Sequence, residues 1–313
     1  MWRNYQSLKG KLPLFDSGQC VSYSEASYRE YFSFYGFDRL SGLHQRYHFG
    51  LIDSEIPFAC HWWRQRESRR TVVVVHGLFD HVGLYLPLIE DLLKQGMDVL
   101  AIDLPDHGLS SAEYGSLKSF LPYSQAVSTL LCSPQVPLAT PITLIGQSTG
   151  GAVLFDYLNT YSANKYIDQL ILLAPLLRVP GWLGVKLSYA LLHRWVKRVP
   201  RSYQSSSHDE KFCDFLRDSD PMQSDFVSVA WVGAMLAWEK RFDQFRGISL
   251  PTLLIQGSAD TTVAFEHNIP RYKAKITDLQ FRMVDGARHH LVGESDPWRS
   301  EVFTHIRAFI AAE

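Results

Sequence analysis

The sequence predicts an α/β protein with a mostly parallel central sheet, flanking helices and one inserted helical cap. Three observations support this fold class. Short apolar segments alternate with helical segments, which is the pattern of consecutive βαβ units. The segment TVVVV at residues 71–75 is a β-branched run typical of a strand buried on both faces. The alternation breaks once, between residues 177 and 245, where helices and loops replace the next expected strand.

The elements can be placed in order along the chain. A first hairpin is expected at residues 47–51 and 58–63. Further strands are expected at residues 71–75, 97–102, 142–145, 170–173, 252–255 and 279–284. Helices are expected at residues 84–95, 117–131, 149–161, 265–273 and 297–311.

This order suggests how the chain divides. We expect residues 41–176 and 246–313 to form the α/β core, and residues 177–245 to form the helical cap. Residues 1–40 precede the regular pattern as an extension without a recognisable motif. Because ligands of open α/β sheets bind at the carboxyl ends of the strands, the cap is expected to cover that edge.

Composition excludes several classes of protein. The 313 residues are 46% hydrophobic, and 31 Lys and Arg balance 32 Asp and Glu, so neither disorder nor wholesale binding of nucleic acid is expected. The four cysteines are scattered without a zinc or Cys-x-x-Cys motif, which fits a reducing compartment. No signal peptide is evident, and the longest mainly apolar stretch, residues 226–238, is too short to cross a bilayer. We expect a cytoplasmic protein that is at most peripheral to a membrane.

A nucleophile motif stands at residues 146–150, with the sequence GQSTG. Gly-x-Ser-x-Gly between a strand and a helix is typical of a nucleophile elbow, in which the serine occupies a strained turn. Residues two positions before and after the serine must lack side chains so that strand and helix can approach. The pentapeptide alone could be an ordinary glycine turn, but the preceding strand and Gly151 favour the elbow, with Ser148 as nucleophile.

A serine nucleophile needs a base, and the base needs a carboxylate that orients it. In this kind of sheet the chain order is serine, acid, histidine. Asp260 follows the strand at 252–255, and His289 and His290 follow the strand at 279–284. Each alone could be an ordinary loop residue, but their order predicts a triad of Ser148, Asp260 and His289. The adjacent His290 leaves a second possible base.

Stabilising an oxyanion requires two backbone N–H groups directed at one point. Thr149, immediately after the serine, supplies one of them. The second is expected from the loop after His76-Gly77, at the end of the strand at 71–75, with Leu78 as the donor. This chemistry requires no metal and no organic cofactor.

Four motifs carry a family resemblance: HGLFDHVGLY at 76–85, DLPDHGLS at 103–110, GQSTGG at 146–151 and GARH at 286–289. Together they resemble the α/β-hydrolase superfamily, and within it the monoacylglycerol lipase and lysophospholipase branch, often labelled serine aminopeptidase-like. The resemblance extends over about residues 45–312. It implies an α/β-hydrolase fold and a carboxylic ester substrate such as a monoacylglycerol or lysophospholipid. It implies the same roles for the site residues Ser148, Asp260, His289, Leu78 and Thr149.

Two positions depart from the family pattern. Asp106 stands where the family usually has glycine, and we expect it to tolerate a left-handed backbone there. His290 stands where the family often has glutamate.

The cap contains an apolar stripe at steps of three and four residues, which predicts a helix: Trp182, Val185, Tyr189, Leu192, Val196 and Val199. Basic residues surround it: Arg178, Lys186, Arg194, Lys197, Arg198 and Arg201. Such a helix could contact an anionic membrane surface. Alternatively, the stripe packs on the core and the charges are solvated.

Two other functions remain open at this stage. An aminopeptidase of the proline iminopeptidase type would need carboxylates to hold a free amine, and the cap supplies Asp209, Glu210, Asp214, Asp218, Asp220 and Asp225. A non-catalytic binding protein on a hydrolase fold is the other alternative, although such proteins usually lose a triad member. The sequence indicates no oligomeric state.

Overall fold

The computed structural model describes residues 5–138, 141–161 and 165–312. Its strands are, in chain order, β1 (Arg46–Ile52), β2 (Phe58–Arg64), β3 (Thr71–Val75), β4 (Asp98–Ile102), β5 (Ile142–Gln147), β6 (Ile167–Leu173), β7 (Arg198–Pro200), β8 (Phe226–Ser228), β9 (Thr252–Gly257) and β10 (Leu279–Val284). Its α-helices are α1 (Tyr5–Leu8), α2 (Arg29–Tyr35), α3 (Leu86–Lys94), α4 (Leu121–Cys132), α5 (Thr149–Thr160), α6 (Trp182–Leu192), α7 (Glu210–Asp214), α8 (Val229–Gln244), α9 (Phe265–Lys273) and α10 (Trp298–Ile310).

Eight of the described strands form one sheet in the order β1-β2-β4-β3-β5-β6-β9-β10. β2 pairs antiparallel with both β1 and β4, whereas the remaining neighbours are parallel. The predicted fold class is therefore confirmed. Because β3, β5, β9 and β10 run in the same direction, the loops that follow them all lie at one edge of the sheet.

The predicted helices of the core are also present, most of them with shifted ends, whereas α9 has the predicted bounds. The largest shift is in α4, which begins at Leu121 instead of residue 117. Proline at the second position of this helix, Pro122, suits the first turn because its missing N–H has no intrahelical partner there.

Apolar side chains cover both faces of the sheet. One buried cluster contains α3, α10 and residues of the N-terminal extension, and the other contains α4, α5, α8 and α9. Tyr31, Phe32 and Phe37 of the extension have no solvent exposure. The extension, to which the sequence assigned no motif, thus contributes aromatic side chains to the core around β1 and β2.

The break in the alternation between β6 and β9 contains α6, β7, α7, β8 and α8. β7 and β8 pair antiparallel in a separate two-stranded sheet. The helix predicted over residues 182–199 is too long: α6 ends at Leu192, and Val199 lies in β7. Its apolar stripe is therefore interrupted by a turn at 193–195 and an irregular segment at 196–197, which the spacing of the apolar residues did not reveal. The domain boundaries at residues 41, 177 and 245 stay predictions.

All four cysteines are free thiols. None of the helices in the described ranges combines the length and the apolar character that a membrane span requires.

Candidate active site

Ser148 lies in the turn between β5 and α5, with φ 54° and ψ −114°. This is a sparsely populated conformation for a residue with a Cβ, and it costs about 1–3 kcal/mol. Backbone bonds hold the turn: the Ser148 N–H donates to Leu173 O at 2.8 Å, and its carbonyl accepts from the Leu176 N–H at 3.1 Å. The sharp turn presents the serine at the edge of the sheet.

The glycines around Ser148 are required by close approach. A Cβ on Gly146 would lie 2.6 Å from the backbone of Gly150, and one on Gly150 would lie 2.1 Å from the carbonyl oxygen of Val75. Any side chain at either position would push α5 away from β5 or β3. The steric reason for the Gly-x-Ser-x-Gly motif is thus present in this chain.

Asp260 and His289 meet at the same edge. His289 Nδ1 lies 2.8 Å from Asp260 Oδ2, in the loops that follow β9 and β10. The carboxylate also accepts hydrogen bonds from Gln256 Nε2 at 2.8 Å and from the Thr262 N–H at 2.7 Å. A proton on Nδ1 leaves Nε2 of the ring as the acceptor, which is the tautomer that a general base needs.

The two groups shift each other's pKa. Burial would lower the pKa of His289, but the charge of Asp260 outweighs it and raises the pKa above the ordinary 6.5. Burial would likewise raise the pKa of Asp260, but His289 and the hydrogen bonds hold it below its ordinary 3.8. The carboxylate is therefore ionised near neutral pH and can stabilise an imidazolium.

Ser148 is held beside this pair through its neighbour. Gln147 Nε2 donates to the His289 backbone oxygen at 2.8 Å, which ties the histidine loop to the elbow. Ser148 and His289 are each 8% exposed. The Ser148 hydroxyl has no hydrogen-bond partner among the described residues. In unliganded hydrolases the contact between serine and histidine is often loose and tightens only with substrate.

His290 points elsewhere. Its Nδ1 accepts from the Gly293 N–H at 3.0 Å, and its Nε2 lies 3.3 Å from Asp80 Oδ2. The ring also packs against Phe212, with the ring centroids 4.8 Å apart. Its nitrogens face groups other than Asp260, so the geometry favours His289 over His290 as the base.

The predicted oxyanion donors lie next to the serine. A Cβ on Gly77 would lie 3.3 Å from Ser148 Cβ, so the loop that carries Leu78 passes directly against the elbow. Thr149 is the first residue of α5, and its N–H has no intrahelical partner. Within the described ranges, neither the Leu78 nor the Thr149 N–H donates to another protein group. Both remain able to bind a substrate oxygen.

The expectation for Asp106 is wrong in one respect. Its backbone is not left-handed; the glycine in this segment with positive φ is Gly108, at 50°. The Asp106 carboxylate is instead buried and accepts from Tyr123 Oη at 2.8 Å and from the Gly115 N–H at 3.0 Å. It therefore joins its loop to α4 and to the segment before it.

Comparisons with known proteins place this geometry in a family. The serine aminopeptidase S33 family (Hydrolase_4) matches residues 66–296. Phospholipase YtpA of Bacillus subtilis is 24% identical over 258 residues, covering 79% of this chain and 97% of that protein. Monoglyceride lipase of Mus musculus is 25% identical over 282 residues, covering 84% and 89%.

Solved structures are similar in fold. A soluble variant of the Saccharomyces cerevisiae monoglyceride lipase, in complex with a substrate analog, superposes with a TM-score of 0.70 at 18% identity, covering 85% of this chain and 96% of that one. Monoacylglycerol lipase of Paleococcus ferrophilus gives 0.66 at 24% identity, covering 78% and 95%. The family match spans well over half of the chain. The protein belongs to the serine aminopeptidase S33 family of α/β-hydrolases and is a serine hydrolase of the lipase and esterase kind.

Proposed function

We propose that the protein hydrolyses a single-chain lipid ester, a monoacylglycerol or lysophospholipid, through an acyl-enzyme on Ser148. The observation that carries this proposal is the 2.8 Å contact between His289 Nδ1 and Asp260 Oδ2 beside the elbow serine. It supplies an oriented base next to a nucleophile in a strained turn at the edge of the sheet.

In acylation, Ser148 Oγ attacks the ester carbonyl while His289 Nε2 takes its proton. Asp260 stabilises the resulting imidazolium without taking a proton itself. The carbonyl oxygen becomes an oxyanion, which accepts hydrogen bonds from the N–H groups of Leu78 and Thr149. When the tetrahedral intermediate collapses, the C–O bond to the alcohol breaks, and His289 Nε2 returns the proton to the leaving alkoxide.

Deacylation repeats these steps with water. His289 Nε2 takes a proton from a water molecule as its oxygen attacks the acyl carbonyl. The second tetrahedral intermediate uses the same two N–H groups. Its collapse breaks the bond to Ser148 Oγ, which regains a proton from His289, and a fatty acid leaves.

The lipid substrate class is supported by the relatives. They include monoglyceride lipases and a phospholipase, at about a quarter identity. A second support is an exposed apolar face on the cap, described below.

The aminopeptidase alternative is less well supported. It would need free carboxylates in the cap to hold the substrate amine. Asp214 and Asp218 are paired with Arg217. Asp220 is buried against Tyr35 and His81. Three of the six acidic groups that the sequence offers for this role are thus already bound.

An activity screen tests the choice of substrate. Purified protein is assayed with monoacylglycerols and lysophosphatidylcholines of several chain lengths, beside p-nitrophenyl esters and prolyl p-nitroanilide. We expect kcat/KM to be greatest for a lipid ester and negligible for the anilide. Faster cleavage of the prolyl anilide than of every ester would reverse the assignment.

The pH profile is expected to follow His289. The ring accepts a proton only when it is neutral, so kcat/KM should rise with pH and reach half its maximum above 6.5, because Asp260 raises the His289 pKa. Asp260→Asn should move this midpoint to lower pH and reduce kcat by about 10⁴-fold, as loss of the orienting carboxylate does in serine proteases. A stopped assay from pH 5 to 9 measures both. A midpoint that is the same in the two proteins would show that another group titrates.

We also propose that the cap contacts an anionic membrane surface, through a face that differs from the predicted stripe. Trp182, Val185 and Tyr189 are turned inward, and α6 packs against α8. The opposite side of the cap is strongly exposed: Leu183 (76%), Leu187 (65%), Leu191 (67%) and Trp195 (77%). We call these four residues the outer cap face. Contiguous exposed apolar side chains of this kind are typical of an interaction surface.

The basic residues of the cap fall into two groups. Arg178 and Lys186 pair with Glu239 of α8, and Arg201 lies against Phe79, so these three side chains already have partners within the protein. Arg194, Lys197 and Arg198 are exposed next to the outer cap face, and they have no ion pair within the described ranges. Apolar side chains flanked by unpaired cations suit an anionic lipid surface.

Vesicle co-sedimentation tests this surface. Burying one leucine contributes about 1.5–3 kcal/mol, so Leu187→Gln with Leu191→Gln should weaken binding to anionic vesicles by at least about a hundredfold. Lys197→Gln with Arg198→Gln should weaken it by about thirtyfold at low salt and less at high salt.

A matched control is Leu121→Gln, which removes another half-exposed leucine, 44% exposed, from the start of α4. It should bind vesicles as the wild type does. All variants should hydrolyse a soluble short-chain ester at the normal rate. Unchanged vesicle binding in the double leucine variant would exclude a role of the outer cap face in membrane binding.

A further inference from the structure

Phe79, the residue after the proposed oxyanion donor Leu78, has a left-handed backbone. Its φ is 69°, and the described residues include only two other non-glycine residues with positive φ, Ser148 and Ala174. A residue with a Cβ is strained in this region, whereas glycine is not. Such strain persists only where the surroundings enforce it. The Leu78 N–H belongs to the Gly77–Leu78 peptide, one unit before the peptide that joins Leu78 to Phe79, so the conformation of Phe79 acts on this N–H through the backbone of Leu78.

The side chain of Phe79 is held by two others. The ring of Tyr114 stacks on it with centroids 5.4 Å apart and an interplanar angle of 22°. The guanidinium carbon of Arg201 lies 3.7 Å from the centroid of the Phe79 ring. An arginine this close to an aromatic face is attracted by the ring electrons.

The backbone of Phe79 is held by Gln223. Its Nε2 donates to the Phe79 carbonyl oxygen at 2.9 Å, and its Oε1 accepts from Arg201 Nη1 at 2.6 Å. Gln223 Nε2 also donates to the buried carboxylate of Asp220 at 2.9 Å. The Gln223 amide thus joins the Arg201 guanidinium to the carbonyl of Phe79.

Both holding residues come from the base of the cap. Arg201 follows β7, and Gln223 precedes β8, the strand that pairs with β7. The Arg201 N–H donates to Asp225 O at 2.9 Å, which extends this pairing. Arg201 Nη1 has only neutral acceptors, Gln223 Oε1 and Ser224 O, among the described residues. Its charge is therefore directed at the rings of Phe79 and Tyr203 and at the Gln223 amide, and no carboxylate of the described residues forms an ion pair with it.

We propose that Arg201 and Gln223 are positioning residues that hold Phe79 in its strained conformation and thereby keep the Leu78 N–H directed at the oxyanion. The inference rests on the proposed function, because it assigns the cap base a part in the same oxyanion site. According to this inference, the rate of hydrolysis depends on two residues that contact neither the nucleophile nor the base.

A pair of substitutions at residue 79 separates positioning from packing. Phe79→Ala and Phe79→Gly both remove the ring, but only alanine keeps the strain of a Cβ at positive φ. We expect Phe79→Ala to lower kcat by about 10- to 100-fold, part of the loss that follows removal of a whole oxyanion donor. Phe79→Gly should retain at least about tenfold more kcat than Phe79→Ala, with KM similar in both. Equal kcat values would contradict the proposal.

The second test uses the holding residues. Gln223→Met should lower kcat more than it raises KM, and it should weaken inhibition by a trifluoromethyl ketone, which forms an oxyanion on the serine, by a similar factor. In the Phe79→Gly background the same substitution should cost much less, because glycine no longer needs to be held. Gln204→Met, at an exposed cap position, is the matched control and should behave as wild type.

Active-site titration with a fluorophosphonate distinguishes a failure of the positioning role from a failure of the proposed function. The kcat of each variant is expressed per labelled serine, so protein that fails to fold does not lower the measured kcat. If the wild type is neither labelled nor active on esters, the proposed function fails. If the wild type is active but Gln223→Met matches it in kcat and inhibition, only the positioning role fails.

Discussion

Ser148→Ala is expected to abolish ester hydrolysis while leaving the fold intact. The alanine removes the nucleophile but keeps the Cβ, so the strained turn and its bonds to Leu173 and Leu176 are undisturbed. Loss of a triad member typically lowers kcat by about 10³-fold or more, and up to about 10⁶-fold for the nucleophile. Activity with a soluble p-nitrophenyl ester measures this loss.

The control for Ser148→Ala is the thermal unfolding midpoint, which should stay close to that of the wild type. Gly150→Ala provides the opposite case. Its Cβ would overlap the Val75 carbonyl, so this variant should lose both stability and activity. Full activity in Ser148→Ala would exclude the proposed mechanism.

His289→Ala should have an effect of similar size. Without the imidazole neither the serine nor the water loses its proton to a base, and kcat should fall by up to about 10⁶-fold. The neighbouring His290 cannot take over, because its Nε2 faces Asp80 and its Nδ1 accepts from Gly293. The assay is the same ester hydrolysis, expressed per mole of folded protein.

His290→Ala is the matched control on the adjacent position. It should keep most of kcat but lower the unfolding midpoint, because the buried Asp80 carboxylate loses a neighbour. If His290→Ala were the inactive protein and His289→Ala the active one, the assignment of the base would be wrong by one residue.

Much of the fold was predictable because strands and helices carry local signals. The β-branched run of β3 and the apolar segments of β5, β9 and β10 identified the sheet within a few residues. The proximity of Asp260 and His289 followed from topology: residues after parallel strands meet at one edge. The sequence could not separate His289 from His290, since both follow the same strand, and the preference for His289 as the proposed base rests on where the ring nitrogens lie in the structure.

The cap was less predictable, because α6 is apolar on two sides. The sequence stripe through Trp182 and Tyr189 is real, but that side packs inward, and the stripe through Leu183 and Leu187 lies outside. The spacing of apolar residues reveals such stripes, but it does not show which of them packs against the rest of the protein. The partner that neutralises Arg178 and Lys186 is Glu239, more than fifty residues away in the chain, and spacing gives no signal for it.

The environment of Phe79 was also beyond the sequence. Its positive φ is found at a position where the sequence has phenylalanine instead of glycine, so no turn signal marks it. The residues that hold it, Tyr114, Arg201 and Gln223, come from three separate loops. Only the folded chain brings them together.

The central claim is an acyl-enzyme on Ser148, and trapping that serine tests it most directly. The wild-type protein is treated with a fluorophosphonate, digested, and mapped by tandem mass spectrometry. We predict a single adduct on Ser148, formed in proportion to the loss of esterase activity and prevented by prior incubation with a monoacylglycerol. An adduct on another residue, or full inactivation with Ser148 unmodified, would contradict the account.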